Sequence, residues 1–293
     1  MQVSANGIAI EVDDQGPPDG EPLLLIMGLG MQLIGWPDEL VGLLVARGFR
    51  VLRFDNRDAG LSQRFDQFGV PNLVAASLRH ALRLKVRSPY SLADMAADAG
   101  GVLDALGIAA AHVCGASMGG MIAQHLAAAH PGRVKSLTLM MTTSGARRLP
   151  QAAAPVRSAM LSRPASSDED DVVAHLLRVV GVIGSPEFAP DPDVLRDRLR
   201  TSVRRAWRPA GTARQLVAIV ADGDRSPLLR RLGMPCHIIH GRADPLVPPA
   251  AAIDLQAKIA GATSDFIEGM GHDLPQALLP RFADGIAQVA ART

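Results

Sequence analysis

The segment GASMGG, from Gly115 to Gly120, restricts the possible folds more than any other part of this chain. It joins a largely apolar run, AHVC, to a segment with helical character, MIAQHLAAAH, so Ser117 stands at a strand-to-helix turn. The glycines around Ser117 allow the strand and the helix to approach closely at a strained turn. In this setting the G-x-S-x-G pattern predicts a serine hydroxyl exposed above a sheet, beside the free N–H groups of a helix start. The alternative is a glycine-rich turn with an incidental serine, which the flanking strand and helix disfavour.

The rest of the chain alternates between strand-like and helix-like segments. Continuous apolar runs such as PLLLIMG and CHIIHG are typical of strands buried on both faces of a parallel sheet. Segments with helical spacing lie between these runs, and Ser91 with Asp94 three residues later indicates a capped helix start. Asn6-Gly7 indicates a hairpin near the beginning of the chain. The alternation predicts an α/β fold with a mostly parallel sheet flanked by helices.

Residues 145–232 differ from this pattern. They contain several helix starts separated by proline-rich joints, and no convincing strand. We therefore predict a helical cap over residues 145–232, inserted after the sixth strand of a core that is formed by residues 1–144 and 233–293.

A serine is a weak nucleophile unless a base takes its proton and an acid orients that base. At a turn of this kind the expected order along the chain is Ser, then Asp or Glu, then His. Asp244 follows the strand-like run CHIIHG and His272 follows the last such run, so both are expected on loops at the edge where Ser117 emerges. Asp273 adjoins His272 but would have to fold back to orient it, and Asp244 is therefore the predicted acid. The remaining histidines are predicted to be structural: His80, His112, His125, His130, His175, His237 and His240.

An acyl-transfer site also needs N–H donors for the oxyanion. One donor is expected from Met118, directly after the serine, and the other from the loop after the third strand. That loop, MGLGMQLIGWP, is rich in glycine and can turn an N–H inward. We predict Leu29 as the second donor, with Gly30 next to it. A loop that is merely flexible is the alternative.

Together these motifs resemble the α/β-hydrolase superfamily over nearly the whole chain, and the core is similar to the aclacinomycin methylesterases and related small esterases. The resemblance rests on the stretches MG (27–28), GWPDE (35–39), RDAGLS (57–62), GASMGG and GMGHDLP. It implies a catalytic triad of Ser117, Asp244 and His272, with oxyanion amides at Leu29 and Met118. The segment of residues 67–87 and the cap depart from the family pattern, so the resemblance does not define the pocket.

The predicted function is hydrolysis of carboxylic esters of small to medium apolar substrates through an acyl-enzyme, without a cofactor. The expected partner is a small-molecule ester or lactone. Lactonase, carbon–carbon bond hydrolase, perhydrolase and iminopeptidase activities use the same triad and stay open, as does a ligand-binding protein of this fold. Epoxide hydrolases and dehalogenases are disfavoured, because those relatives carry aspartate where Ser117 stands. The predicted pocket residues are Gly30, Trp36, Leu246, Val247 and Leu274, with a core position as an equal alternative for Trp36.

Composition limits the partners and the cellular location that can be expected for this chain. A net charge of +1 gives no basis for nucleic-acid binding. Cys114 and Cys236 lie in apolar runs and are predicted to be buried thiols of a reducing compartment, and no Cys/His spacing indicates a metal site. Neither a secretion signal nor an apolar run long enough for a membrane span is evident, so we expect a cytoplasmic protein. The sequence leaves the oligomeric state open.

Residues 67–93 lack acidic residues but contain four basic ones: Arg79, Arg83, Lys85 and Arg87. A helix over residues 72–87 would place Val74, Leu78 and Leu82 on one face and arginines on another. We expect a lid helix that packs its apolar face on the cap and borders the pocket entrance. Binding of this basic amphipathic helix to an anionic membrane surface is the alternative.

Overall fold

The computed structural model describes residues 1–293 and contains one eight-stranded sheet. Its strands are β1 Gln2–Ala5, β2 Ile8–Gln15, β3 Glu21–Ile26, β4 Phe49–Phe54, β5 Ala111–Ala116, β6 Val134–Met140, β7 Cys236–Gly241 and β8 Thr263–Ile267. Across the sheet they follow the order β1-β2-β4-β3-β5-β6-β7-β8. The β1–β2 and β2–β4 pairings are antiparallel and all others are parallel. The predicted mostly parallel sheet is confirmed.

Helices cover both faces of this sheet. They are α1 Asp38–Val45, α2 Leu73–Ala81, α3 Leu92–Ala105, α4 Met118–Ala129, α5 Ala154–Leu161, α6 Glu169–Ile183, α7 Pro192–Arg205, α8 Pro209–Asp222, α9 Ser226–Leu229, α10 Ala250–Lys258 and α11 Leu279–Ala290. Alternate residues of β3 enter different cores, because successive side chains of a strand point to opposite faces. Leu23 and Leu25 share a core with α1 and α11, while Leu24 and Ile26 share one with α3, α4 and α10.

Local signals in the sequence correspond to elements of the structure. Asn6 and Gly7 form the turn between β1 and β2, and both have a positive φ. Ser91 and Asp94 form the expected capping box at the start of α3. Five helices, α5 to α9, lie between β6 and β7, and residues 145–232 contain no strand. The division of the chain into a core and a cap stays a prediction. None of the helices combines the length and the apolar character that crossing a bilayer requires.

The basic helix α2 is shorter than expected, since it ends at Ala81 instead of continuing to residue 87. Arg83 adopts a φ of 60°, and the Leu84 N–H donates to the Arg79 carbonyl at 2.8 Å. This left-handed helix end is usually built on glycine. Because this position is occupied by Arg83 and not by glycine, the residue types do not indicate where α2 ends.

The apolar stripe of α2 also differs from its prediction. Val74, Leu78 and Leu82 are 79, 58 and 60% exposed, so the expected packing of this stripe on the cap is wrong. A different face of α2 is covered, where Ala76 packs with Val217 of α8. Alanine has too small a side chain for the hydrophobic pattern to show that this face is the buried one.

The carboxyl ends of four parallel strands lie at one edge of the sheet. Ile26 at the end of β3 is in register with Gly115 of β5, and Gly241 at the end of β7 is in register with Ile267 of β8. Ligands of open α/β sheets bind beyond this edge. The segments that follow these strands carry Leu29, Ser117, Asp244 and His272 in turn.

Candidate active site

Ser117 lies between the end of β5 and the start of α4, with φ 54° and ψ −119°. Its N–H donates to the Met140 carbonyl at 2.9 Å, and its carbonyl accepts from Thr142 Oγ1 at 2.7 Å. The end of β6 therefore fixes the turn on both sides of the serine. Positive φ is uncommon for a residue with a side chain, and this observation fits the sharp turn that the G-x-S-x-G pattern predicts.

Glycine is required around Ser117 because backbones come into direct contact there. A Cβ at Gly119 would lie 2.0 Å from the Ile26 carbonyl oxygen, and a Cβ at Gly115 would lie 2.3 Å from the Gly119 oxygen. The first turn of α4 thus packs directly on β3 and β5. Gly28 approaches the serine itself, since a Cβ there would lie 3.2 Å from the Ser117 Cβ.

Ser117, His272 and Asp244 form a continuous chain of hydrogen bonds. His272 Nε2 lies 3.0 Å from Ser117 Oγ, and His272 Nδ1 lies 2.7 Å from Asp244 Oδ2. A carboxylate on Nδ1 favours the tautomer whose Nδ1 carries the proton, which leaves Nε2 free to accept one. Asp244 is buried, while Ser117 and His272 are partly exposed. The structure therefore brings the three predicted residues together in the order that proton transfer from serine requires.

Asp244 is oriented by the backbone that follows it. Its Oδ1 accepts from the N–H groups of Leu246 and Val247 at 2.9 and 2.8 Å, so Oδ2 faces His272. His240 steadies the same turn, because its Nε2–H donates to the Val247 carbonyl at 2.8 Å. Burial lowers the pKa of His240, so the imidazole beside Asp244 is neutral at pH 7.

Asp273, which adjoins His272 in the sequence, binds Ser185 in the segment after α6 and does not contact the His272 imidazole. It accepts from the Ser185 hydroxyl and, at 3.2 Å, from the Ser185 N–H. Burial raises the pKa of Asp273, although these hydrogen bonds oppose the shift. The same segment holds the histidine loop, since the His272 N–H donates to the Ile183 carbonyl at 2.7 Å and the Gly271 N–H to Ser185 Oγ at 2.8 Å. The end of α6 thus fixes the backbone on which His272 stands.

Two N–H groups beside Ser117 have no acceptor. Neither the Leu29 N–H nor the Met118 N–H donates to a carbonyl or a side chain of the structure. The Gly30 N–H, in contrast, donates to Gln215 Oε1 at 2.8 Å. The loop after β3 therefore offers the amide of Leu29 and not that of Gly30, and both free amides belong to residues predicted as oxyanion donors.

The predicted pocket residues divide into two groups. Trp36 is fully buried in the core shared with α1 and α11, so the alternative of a core position holds for this residue. Leu246, Val247 and Leu274 are partly buried on the loops that carry Asp244 and His272. Leu274 also packs against the core beneath α11.

Two side chains of α8 reach the loops at the sheet edge and were missed by sequence reasoning. Gln215 is fully buried, and besides its bond to Gly30 its Nε2 donates to the Arg57 carbonyl at 2.7 Å. Arg214 makes two hydrogen bonds of 2.7 Å to the buried carboxylate of Asp58. These partners lie more than 150 residues apart in the sequence, and no local pattern indicates them. No cluster of three or more His, Cys, Asp or Glu side chains is arranged to hold a metal ion.

Comparison with known proteins shows which family the chain is similar to. A family model described as alpha/beta hydrolase fold matches residues 21–275. Rhodomycin D methylesterase DnrP of Streptomyces peucetius is 33% identical over 288 residues, which cover 90% of this chain and 88% of that protein.

Solved structures are similar over the full length. The meta-cleavage product hydrolase CumD of Pseudomonas fluorescens has a TM-score of 0.77 at 19% identity, covering 100% of this chain and 97% of that chain. The esterase RhEst1 of a Rhodococcus species has a TM-score of 0.76 at 20% identity, covering 99% and 97%. At these identities the similarity concerns the fold alone.

Proposed function

The chain belongs to the alpha/beta-hydrolase family, and we propose that it is a serine hydrolase that cleaves carboxylic esters of small to medium apolar substrates. The observation that carries this proposal is the chain of hydrogen bonds from Ser117 Oγ through His272 to Asp244. Ser117 is the nucleophile, His272 is the general base and Asp244 orients the imidazole. The similarity to a methylesterase over most of both chains supports an ester as the substrate.

In the first half of the reaction, Ser117 Oγ forms a bond to the ester carbonyl carbon as its proton passes to His272 Nε2. The imidazolium that results is stabilised by Asp244, which stays ionised. His272 then returns the proton to the alcohol oxygen as the C–O bond breaks, and the acyl group remains on Ser117. Water attacks the acyl-enzyme in the second half, with His272 as the base again, and the acid is released.

The negative charge on the carbonyl oxygen needs donors that are not already occupied. We assign this role to the N–H groups of Leu29 and Met118, because neither has an acceptor in the structure. Gly30 is excluded from this role because Gln215 occupies its N–H. The end of α6 contacts the loop that carries His272, and Gln215 in the middle of α8 contacts the loop that carries Leu29, so the cap is proposed to shape the acyl site.

The proposal is tested by measuring turnover of p-nitrophenyl and methyl esters by the wild type, by Ser117→Ala and by Ser158→Ala. Ser158 is an exposed serine of α5 and serves as the matched control. We expect Ser117→Ala to lower kcat by about 10³-fold or more and the control to leave it unchanged. Wild-type turnover by Ser117→Ala would contradict the assignment.

A fluorophosphonate probe distinguishes the hydrolase from a ligand-binding protein with the same fold. The probe should label the wild type and Ser158→Ala but not Ser117→Ala, since only an activated serine reacts. Absence of labelling in the wild type would favour the binding protein. If labelling occurs but esters turn over slowly, a panel of lactones, carbon–carbon bond substrates and aminoacyl amides identifies which related reaction the triad performs.

A further inference from the structure

Exposed apolar side chains are concentrated in one short stretch of the chain. Of the thirteen large hydrophobic side chains that are exposed, six lie within residues 68–84. They are Phe68, Val70, Val74, Leu78, Leu82 and Leu84. We refer to these six residues as the apolar patch. Single exposed hydrophobic residues are ordinary, but six of them within seventeen residues indicate an interaction surface.

Four basic side chains lie within the apolar patch or directly after it in the sequence. Arg79, Arg83, Lys85 and Arg87 form no ion pair in the structure, and residues 67–93 contain no carboxylate that could neutralise them. The closest preceding acid in sequence, Asp66, is paired with Arg64 and Arg214. The stretch therefore presents unpaired positive charge and uncovered apolar surface together.

We propose that the apolar patch and its four basic residues dock this protein on an anionic phospholipid surface. Apolar side chains of such a segment enter the boundary between headgroups and acyl chains, while basic side chains bind the phosphates. A symmetric contact between two copies of the chain would bring the same four cations face to face, because each copy presents the same patch. The charge therefore favours a lipid surface over a second copy.

Two further features of the structure fit a phospholipid. A cleft of about 590 Å³ adjoins α2, and its lining combines Arg79 and Arg87 with the apolar side chains of Phe68, Val86 and Val217. An anionic headgroup and an acyl chain need this combination.

α2 also packs on α8, whose Gln215 binds the loop after β3. The docked surface would be separated from that loop by the single helix α8.

Co-sedimentation with vesicles tests the proposal. Wild-type protein is mixed with vesicles of phosphatidylcholine alone or with 30% phosphatidylglycerol at low and high salt, on the order of 0.05 and 0.5 M. We expect binding to the anionic vesicles that weakens with salt, and little binding to phosphatidylcholine alone. Arg79→Glu/Arg83→Glu should lower the partition coefficient by about tenfold or more, since each basic residue contributes roughly a fivefold factor near an anionic surface.

The apolar contribution is tested with Val74→Asp/Leu78→Asp, which should also lower the partition coefficient by about tenfold or more. The controls are Arg230→Glu/Arg231→Glu for charge and Ile253→Asp for exposed apolar surface, because all three residues are exposed and lie outside the patch. The altered side chains are exposed in every variant, so turnover of a soluble ester should match the wild type and show that the fold is intact.

Three outcomes would overturn the proposal. The first is a wild type that does not sediment with the anionic vesicles. The second is binding that the patch variants leave unchanged, or that the control variants weaken equally, because general charge would then explain it. The third is a concentration-dependent dimer that Val74→Asp/Leu78→Asp abolishes, because a second copy of the chain would then be the occupant of the patch.

Discussion

Gln215 accepts the Gly30 N–H at 2.8 Å and thereby joins α8 to the loop that carries Leu29. The bond from Gln215 Nε2 to the Arg57 carbonyl fixes the amide in one orientation, with its oxygen toward Gly30. Gly30 has a φ of 67°, so this turn brings successive N–H groups into different directions. A helix between β6 and β7 therefore determines which amide of the loop stays free.

Gln215→Leu removes the acceptor of the Gly30 N–H while nearly preserving side-chain volume. We expect kcat to fall by about 10- to 100-fold with little change in KM, because the proposed oxyanion donor at Leu29 loses its fixed position. Gln288→Leu, on the exposed face of α11, is the matched control and should leave kcat unchanged. An equal loss in both variants, or a rise in KM alone, would contradict a positioning role for Gln215.

Replacement of each acid in turn separates the roles of Asp244 and Asp273. Asp244→Asn should lower kcat by about 10⁴-fold, since an amide on His272 Nδ1 favours the wrong tautomer. Asp273→Asn keeps a side chain that can accept from Ser185 and should lower kcat by less than about tenfold. Steady-state kinetics of the two variants on one soluble ester make the comparison. A larger loss in Asp273→Asn would show that the acid has been assigned to the wrong residue.

Gly119→Ala tests the contact between α4 and β3. The added Cβ would lie 2.0 Å from the Ile26 carbonyl oxygen, so either the helix or the strand must shift. We expect a loss of at least about 3 kcal/mol in the free energy of unfolding, measured with urea. Gly132→Ala is the control, because no atom beyond the two neighbouring residues in the chain lies within 4 Å of a Cβ at that position. Similar urea midpoints for the two variants would refute the direct backbone contact.

The ion pair between Arg214 and Asp58 is buried on both sides, with exposures of 2 and 1%. Arg214→Met leaves the Asp58 carboxylate buried without its cation, and we expect the free energy of unfolding to fall by about 3–5 kcal/mol. Arg64→Met breaks the exposed pair with Asp66 and should cost less than about 1 kcal/mol. Chemical denaturation of the two variants at pH 7 compares them directly. Equal costs would mean that solvent reaches the Asp58 site.

The contribution of the Arg214–Asp58 pair to the free energy of unfolding depends on pH in a predictable direction. Burial by itself raises the pKa of Asp58, but the Arg214 guanidinium, the Phe65 N–H and the Tyr90 hydroxyl outweigh it and hold that pKa below its usual value. The stability that Asp58 contributes is therefore present above its unfolded pKa, about 3.9, and is lost as the pH falls through the folded value.

In Arg214→Met burial should dominate, so the Asp58 pKa rises and the carboxyl takes up a proton above pH 4. The difference in unfolding free energy between wild type and Arg214→Met should then narrow from pH 7 to pH 4. Urea denaturation at three or four pH values measures it. A constant difference would show that Asp58 does not change its protonation in the variant.

Local patterns account for much of what could be predicted. Ser117 is predictable from the G-x-S-x-G pattern at a strand-to-helix turn. Asp244 and His272 are predictable because each lies on a loop after a strand-like run, and parallel strands bring their carboxyl ends to one edge. The capping box at Ser91 and Asp94 was likewise readable because both partners lie within one helical turn. The catalytic roles of Ser117, Asp244 and His272 stay a prediction, which the kinetic experiments test.

Other features depend on contacts that no local pattern contains. Gln215 binds a residue 185 positions away, and Ser185 binds Gly271 and Asp273 more than 80 positions away. Such bonds require that the helices between β6 and β7 are packed on the sheet. The early end of α2 depends on Arg83 in a left-handed conformation, which the residue type itself does not favour.

The positive φ of Ser117 means that the residue proposed as the nucleophile also lowers the stability of the fold. Backbone strain of this kind costs on the order of 1–3 kcal/mol, whereas glycine would adopt the same conformation freely and lose only about 0.4–1 kcal/mol through the unfolded chain. Ser117→Gly would thus tend to stabilise the protein while removing its proposed nucleophile. Laboratory evolution of this chain for heat resistance alone would enrich inactive molecules, so each round of selection needs an activity screen beside the thermal one.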